Sequence, residues 1–224
     1  MTARRSEYLD ALGLQAYVPR LPLPLGPPPP PIAGESQGLG WDDLADAVSD
    51  CRRCALCGTR TQTVFGVGAR DARLMVVGEA PGAEEDRQGE PFVGRAGQLL
   101  NAVLRAAGFG REQVFIANIL KCRPPNNRDP LPAEVEQCLP YLERQIELLR
   151  PALLLCVGRI AAQNLLRTDV TIGRLRGRVH TLPSGLPVVV TYHPAYLLRS
   201  PGEKRKVWDD LKLAMGVLRD GHRA

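Results

Sequence analysis

The sequence predicts an α/β protein: a three-layer α/β/α sandwich on a central four-stranded parallel sheet, preceded by a proline-rich N-terminal tail. Three observations carry that expectation. Short apolar runs alternate with helical periodicity four times between residues 73 and 219. The runs are apolar throughout, without the in/out alternation of a half-exposed strand, as in parallel sheets covered on both faces. The polar residues of chemical interest fall just beyond the runs, at the carboxyl ends where such sheets gather their working groups.

Residues 1–40 read as tail and 41–220 as the folded domain. Five consecutive prolines, Pro27 to Pro31, favour extended polyproline II and donate no backbone hydrogen bonds. That segment is expected to act as a spacer, or as a docking peptide for a partner the sequence does not identify. A short helix is expected over 6–14. Residues 41–50 form a helix that carries the chain into a cysteine pair. Residues 73–78 form the first strand, ending at Gly78, and the Gly-, Pro- and acid-rich stretch 79–94 is expected as loop. Residues 96–107 have helical periodicity, with Leu99, Leu100, Val103 and Leu104 on one face and Gly108 as the stop. The second strand is 114–120, the next helix 133–150, the third strand 152–158, and a helix follows at 160–166. The fourth strand is 187–192, and 203–219 is the closing helix.

The chain has 224 residues, 44% of them hydrophobic, enough for a real core. No apolar run approaches the ~20 residues of a membrane helix, and no secretory signal is evident. A cytoplasmic protein with free thiols is expected, a monomer with no membrane partner. The net charge of +5 permits phosphate contacts with nucleic acid without requiring them.

Cys51-Arg52-Arg53-Cys54 is a C-x-x-C pair, and Cys122 and Cys138 are distant singles. Four thiolates drawn from remote segments suit an iron–sulfur cluster or a structural zinc, which spacing does not separate. Cys156, in an apolar run, reads as core. Cys57 reads as a spare thiol or a rival ligand.

The loops after the strands hold the remaining candidates. Gly78-Glu79-Ala80-Pro81-Gly82 is a tight turn whose backbone admits a close ligand. Glu79 projects from it, with Glu84, Glu85 and Asp86 close behind. Phe92, in a loop, is either a core anchor or a surface for stacking on a planar ligand. Asn118 lies in an apolar strand, where a buried amide must use its donor and acceptor; it suits one edge of a nucleobase or a structural bond to backbone. His193 follows the last strand and can donate a hydrogen bond to a developing anion. Tyr196, Leu197 and Leu198 leave apolar bulk beside Arg199, as a wedge into a base stack would.

In combination these motifs resemble the family 4 uracil-DNA glycosylases, the iron–sulfur type of the uracil-DNA glycosylase superfamily found in bacteria and archaea. The resemblance runs from Cys51 to the last helix. It rests on Cys51-x-x-Cys54-x-Leu56-x-x-x-Arg60-Thr61, Val64-Phe65-Gly66-Val67-Gly68, Gly78-Glu79-Ala80-Pro81-Gly82 with Glu85-Asp86, and Gly89-Glu90-Pro91-Phe92-Val93-Gly94-Arg95-Ala96-Gly97. Asn118-Ile119-Leu120-Lys121-Cys122-Arg123-Pro124-Pro125 and His193-Pro194-Ala195-Tyr196-Leu197-Leu198-Arg199 complete the set.

The resemblance implies a base-excision DNA repair enzyme, a hydrolase of N-glycosyl bonds, acting on uracil in single- or double-stranded DNA in a nucleoid-associated setting. It implies a structural [4Fe–4S] cluster on Cys51, Cys54, Cys122 and Cys138. It implies that Phe92 stacks on the flipped uracil beside Ala80, Asn118 reads its pairing edge and His193 faces the carbonyl that gains charge. Glu79 and Glu85 are the acidic catalytic residues, and Leu197 takes the DNA-wedge position. Other branches of the superfamily carry an Asp where this chain has Ala80, so the motif leaves open which glutamate leads. Two alternatives stand beside this reading. One is a covalent uracil-DNA binder, disfavoured because segment 123–132 lacks the histidine of that branch. The other is a non-catalytic iron–sulfur DNA-binding module.

Overall fold

The structure is a computed structural model and describes residues 38–220. The proline run and the helix expected over 6–14 lie outside the described residues. Among the described residues, six strands form one sheet: β1 (Val67–Gly68), β2 (Leu74–Gly78), β3 (Phe115–Asn118), β4 (Leu153–Val157), β5 (Val179–Thr181) and β6 (Pro187–Thr191), in the order β1-β3-β2-β4-β6-β5. The four expected strands are its centre, β3-β2-β4-β6, all parallel. The two edge strands, β1 and β5, pair antiparallel and were not expected. They are two and three residues long and half-exposed or exposed, too short to show a period.

Among the described residues, eight α-helices accompany the sheet: α1 (Trp41–Ser49), α2 (Ala83–Gln88), α3 (Arg95–Ala106), α4 (Pro132–Leu149), α5 (Arg159–Leu166), α6 (Ile172–Leu175), α7 (Pro194–Arg199) and α8 (Lys204–Asp220). The helix α2 corrects the expectation of loop at 79–94, and α7 stands where a loop was expected after the fourth strand. Pro194 opens α7, where its missing N–H costs nothing, and the His193 ring accepts from the Ala195 N–H as its cap.

The uniform apolarity of the central strands follows from their two-sided burial. Met75, Val77, Leu154, Cys156, Val188 and Val190 pack with Leu44 of α1, Leu142 of α4 and Ala162 of α5. Leu74, Val76, Leu153, Leu155 and Val189 pack on the other side with Leu100 and Leu104 of α3 and Leu211 of α8. Cys156 is thus core, as expected. The connection after β2 leads to α3 on one face, and that after β3 leads to α4 on the other. Adjacent strands whose connections diverge leave a crevice at their carboxyl ends. Gly78 and Asn118 sit there as register partners.

The far side of that crevice is anchored by a buried carboxylate. Asp210 of α8 accepts from Thr191 at the end of β6 at 2.8 Å, from Gly177 N–H at 3.0 Å and from Arg176 at 2.9 Å. This fixes the strand end two residues before His193.

Candidate active site

A cavity of about 490 Å³ opens at the carboxyl ends of the strands, and Glu79, Ala80, Glu85, Phe92, Asn118 and His193 all line it. Gly82, Ala96, Asn127, Ala195, Tyr196 and Arg199 complete the wall. Asn127 had no distinguishing signal in sequence. It enters through the turn after Cys122, where Asn126 and Asn127 both take positive φ, a conformation Asn tolerates. Arg123 donates to its side-chain oxygen at 2.8 Å.

Gly78 sets the approach of the two most buried groups. A Cβ there would lie 2.3 Å from Asn118 Oδ1 and 2.6 Å from Phe92 Cζ. Only glycine lets the amide and the ring edge meet over the end of β2. Asn118 Oδ1 is buried and, among the described residues, has no hydrogen-bond partner. An orphaned acceptor of this kind costs about 1–3 kcal/mol, a cost that a ligand donor entering the cavity would remove.

Phe92 is 6% exposed, and its ring is at once core and cavity wall. Its φ is +54°, a strained conformation for a bulky residue. Three contacts hold it. Arg111 donates to the Pro91 and Phe92 carbonyls. Gly97 of α3 admits the Phe92 carbonyl where a Cβ would stand 1.8 Å from it. Glu85 Oε1 accepts from the Val93 and Gly94 N–H groups at 2.9 and 3.0 Å, fixing the backbone between Phe92 and α3. The His193 ring lies 5.6 Å from that of Phe92, tilted by 33°.

The acidic residues separate by role. Glu84 pairs with the exposed Arg87. Asp86 is buried and accepts from the Thr61 N–H and hydroxyl, tying α2 to the segment that follows the cysteine pair. Glu85 is committed to the Phe92 loop. Among the described residues, Glu79 makes no side-chain hydrogen bond. Burial, with a smaller push from Asp129 opposed by Arg159, raises its pKa to about 7. His193 moves the other way, to about 4: burial disfavours its cation, Arg199 adds to that, and Glu85 opposes it. The Ala195 N–H donates to Nδ1 at 3.1 Å, so the neutral ring carries its proton on Nε2.

Leu197, expected as the DNA wedge, faces the core in this structure: it is 1% exposed and shares an apolar cluster with Leu104 and Val207. On the solvent side of α7, Leu198 is 40% exposed and Tyr196 37%. Helical spacing explains the swap: neighbouring residues point about 100° apart, and α7 turns Leu197 inward.

On the opposite face of the sheet, Cys51, Cys54, Cys122 and Cys138 border one small hollow, with Lys121, Gln137 and Tyr141. Cys57 and Cys156 do not line it. Two sulfurs already accept hydrogen bonds: Cys122 Sγ from Arg60 at 3.0 Å and Cys138 Sγ from the Lys121 N–H at 3.2 Å. Among the described residues, no three His, Cys, Asp or Glu side chains converge closely enough to hold a single metal ion. No described helix is long and apolar enough to cross a membrane.

Fold and cavity define an α/β/α protein with a concave site at the carboxyl ends of its strands, walled by an aromatic ring, an amide and an imidazole. The model of the uracil DNA glycosylase superfamily matches residues 65–212. The chain is similar to the type-4 uracil-DNA glycosylase of Archaeoglobus fulgidus, 47% identical over 178 residues that cover 76% of this chain and 89% of the relative. The counterpart in Thermotoga maritima is 41% identical over 179 residues, 79% of this chain and 93% of that one. A type-5 uracil-DNA glycosylase of Pyrobaculum aerophilum is more distant, at 29% over 191 residues, 70% of this chain and 84% of the relative. The chain belongs to the uracil DNA glycosylase superfamily and stands with its type-4 members.

Proposed function

We propose that this protein is a DNA repair glycosylase that extrudes uracil from DNA and hydrolyses its N-glycosidic bond, leaving free uracil and an abasic site. The observation that carries the reading is the orphaned Asn118 Oδ1, buried at the foot of a cavity beside Phe92 and His193. A target base inside a duplex cannot be reached in place, so it must be flipped into such a pocket. The uracil N3–H is the donor that Asn118 Oδ1 lacks, and the amide nitrogen then faces the O4 acceptor. Phe92 stacks on the ring.

Bond cleavage leaves negative charge on the departing base and positive character on the sugar. Neutral His193 donates its Nε2 proton as a hydrogen bond to the carbonyl oxygen that gains charge. Its low pKa keeps it a neutral donor at physiological pH. This is stabilisation by groups already in place. Glu79, the unpaired carboxylate of the site, favours the cationic sugar and orients the attacking water. Glu85 acts through the Phe92 loop it holds. Leu198, with Tyr196, fills the gap the extruded nucleotide leaves in the stack.

The hollow suits a [4Fe–4S] cluster held by Cys51, Cys54, Cys122 and Cys138. Four thiols and two donors to sulfur match the donor chemistry of such centres. Held by these four residues, such a cluster would clamp the segment after α1 to the end of β3 and to α4.

The test uses uracil-containing and matched thymine-containing oligonucleotides, with alkaline cleavage of abasic sites. Strand scission only at uracil is expected. Intact uracil strands refute the reading, and a denaturation-resistant protein–DNA adduct replaces it with the covalent branch.

A further inference from the structure

We propose that Lys121 is a positioning residue that couples the cysteine centre to the amide of Asn118. The inference rests on the glycosylase and cluster readings above. Lys121 is 1% exposed. Its ammonium donates to the Asn118 carbonyl at 3.0 Å, to the Phe65 carbonyl at 3.2 Å and to Gln145 Oε1 at 2.6 Å. All three acceptors are neutral, and among the described residues no carboxylate forms an ion pair with it. A buried cation without an anion is costly, and neutral acceptors offset only part of that. The missing anion has a place on the page. Lys121 lines the cysteine hollow, its N–H donates to Cys138 Sγ, and Cys122 follows it in sequence. A thiolate-ligated cluster supplies the negative charge that its burial requires.

The same side chain reaches back to the functional site. Asn118 turns its Oδ1 to the cavity while its carbonyl holds the ammonium. The Ile119 and Leu120 N–H groups donate to the Gly78 and Glu79 carbonyls, so one short span carries both the uracil reader and a cluster ligand. Lys121 is its internal brace. Loss of that brace leaves the Asn118 peptide held through its Ile119 N–H alone, and the aim of the amide loosens.

The decisive variant is Lys121→Met in the full, cluster-loaded chain. Two quantities are read: the single-turnover excision rate at saturating enzyme beside the dissociation constant for uracil-DNA, and the reduction potential of the cluster without DNA. The rate is expected to fall by roughly tenfold or more, as for loss of a hydrogen bond to a charged group, with DNA affinity unchanged. The potential is expected to move negative, because a lost buried cation disfavours an added electron. Wild-type excision, or an unmoved potential, overturns the inference. Should Lys121→Met fail to fold or hold iron, Gln145→Leu decides. It removes one acceptor and leaves the ammonium in place, so a partial fall in rate supports the brace and an unchanged rate overturns it. An inactive or iron-free wild type refutes the earlier readings and this one with them. An active, iron-loaded wild type matched by its variants refutes this one alone.

Discussion

Replacing Asn118 with alanine should separate activity from stability. Two energies act with opposite sign. In the transition state the variant loses the group that reads and polarises the base edge. Removal of one such preorganised group typically costs about 3–4 kcal/mol, or roughly 10²–10³ in rate. In the free protein the variant deletes a buried acceptor that has no partner, relieving a penalty of about 1–3 kcal/mol. The side chain faces a cavity that already exists, so its truncation enlarges that space rather than opening a void in packed core, and little packing is lost. Stability should therefore hold or rise, by about 2–4 °C in Tm for each kcal/mol in a domain of this size. Single-turnover excision from a uracil oligonucleotide gives the first quantity and thermal melting of the cluster-loaded protein the second. Near-wild-type excision would refute the reader role. A melting temperature that falls by several degrees would show that the amide is a structural bond.

Other outcomes follow from the same geometry. Glu79 works as its anion and has a pKa near 7, so excision should decline as pH falls through about 7. Glu79→Gln should abolish that limb along with most of the rate, whereas His193, near 4, adds no limb in this range; a pH–rate profile of both proteins checks it. Gly78→Ala would put a methyl 2.3 Å from Asn118 Oδ1. It should block uracil entry while circular dichroism stays native, which competition by free uracil measures directly. Leu197→Ala should destabilise by about 2–5 kcal/mol in urea titration, as for a truncated core leucine. Leu198→Ala should leave stability unchanged and lower excision from duplex more than from single strands, and equal losses on both substrates would remove the wedge role.

Much of the sheet was legible because burial on both faces leaves a direct trace, uniform apolarity, in β2, β4 and β6. The short pieces left none. A six-residue helix such as α2 lies within Gly- and acid-rich sequence whose composition reads as loop. The start of α7 was marked by Pro194 at its first position, a signal that was available and unused. Six cavity residues, Glu79, Ala80, Glu85, Phe92, Asn118 and His193, were identifiable because each sits just past a strand or in a motif of unusual chemistry. Asn127 was not, because its place depends on a turn from outside those motifs. Nor could the chain rank its neighbouring acids. Glu84, Glu85 and Asp86 are equivalent in sequence, yet one pairs at the surface, one holds the Phe92 loop and one is buried against Thr61.

Residue type and spacing determined the layered α/β architecture and the chemistry available at the strand ends, since these depend on local periodicity and on which functional groups the chain possesses, while the superfamily was implied by the resemblance of the combined motifs. Only the tertiary structure decided that Leu197 faces the core and Leu198 the solvent, that Glu79 is the unpaired carboxylate, and that Lys121 lies between the thiols and Asn118. Such choices depend on direction and desolvation, which arise only when distant segments pack together and exclude water.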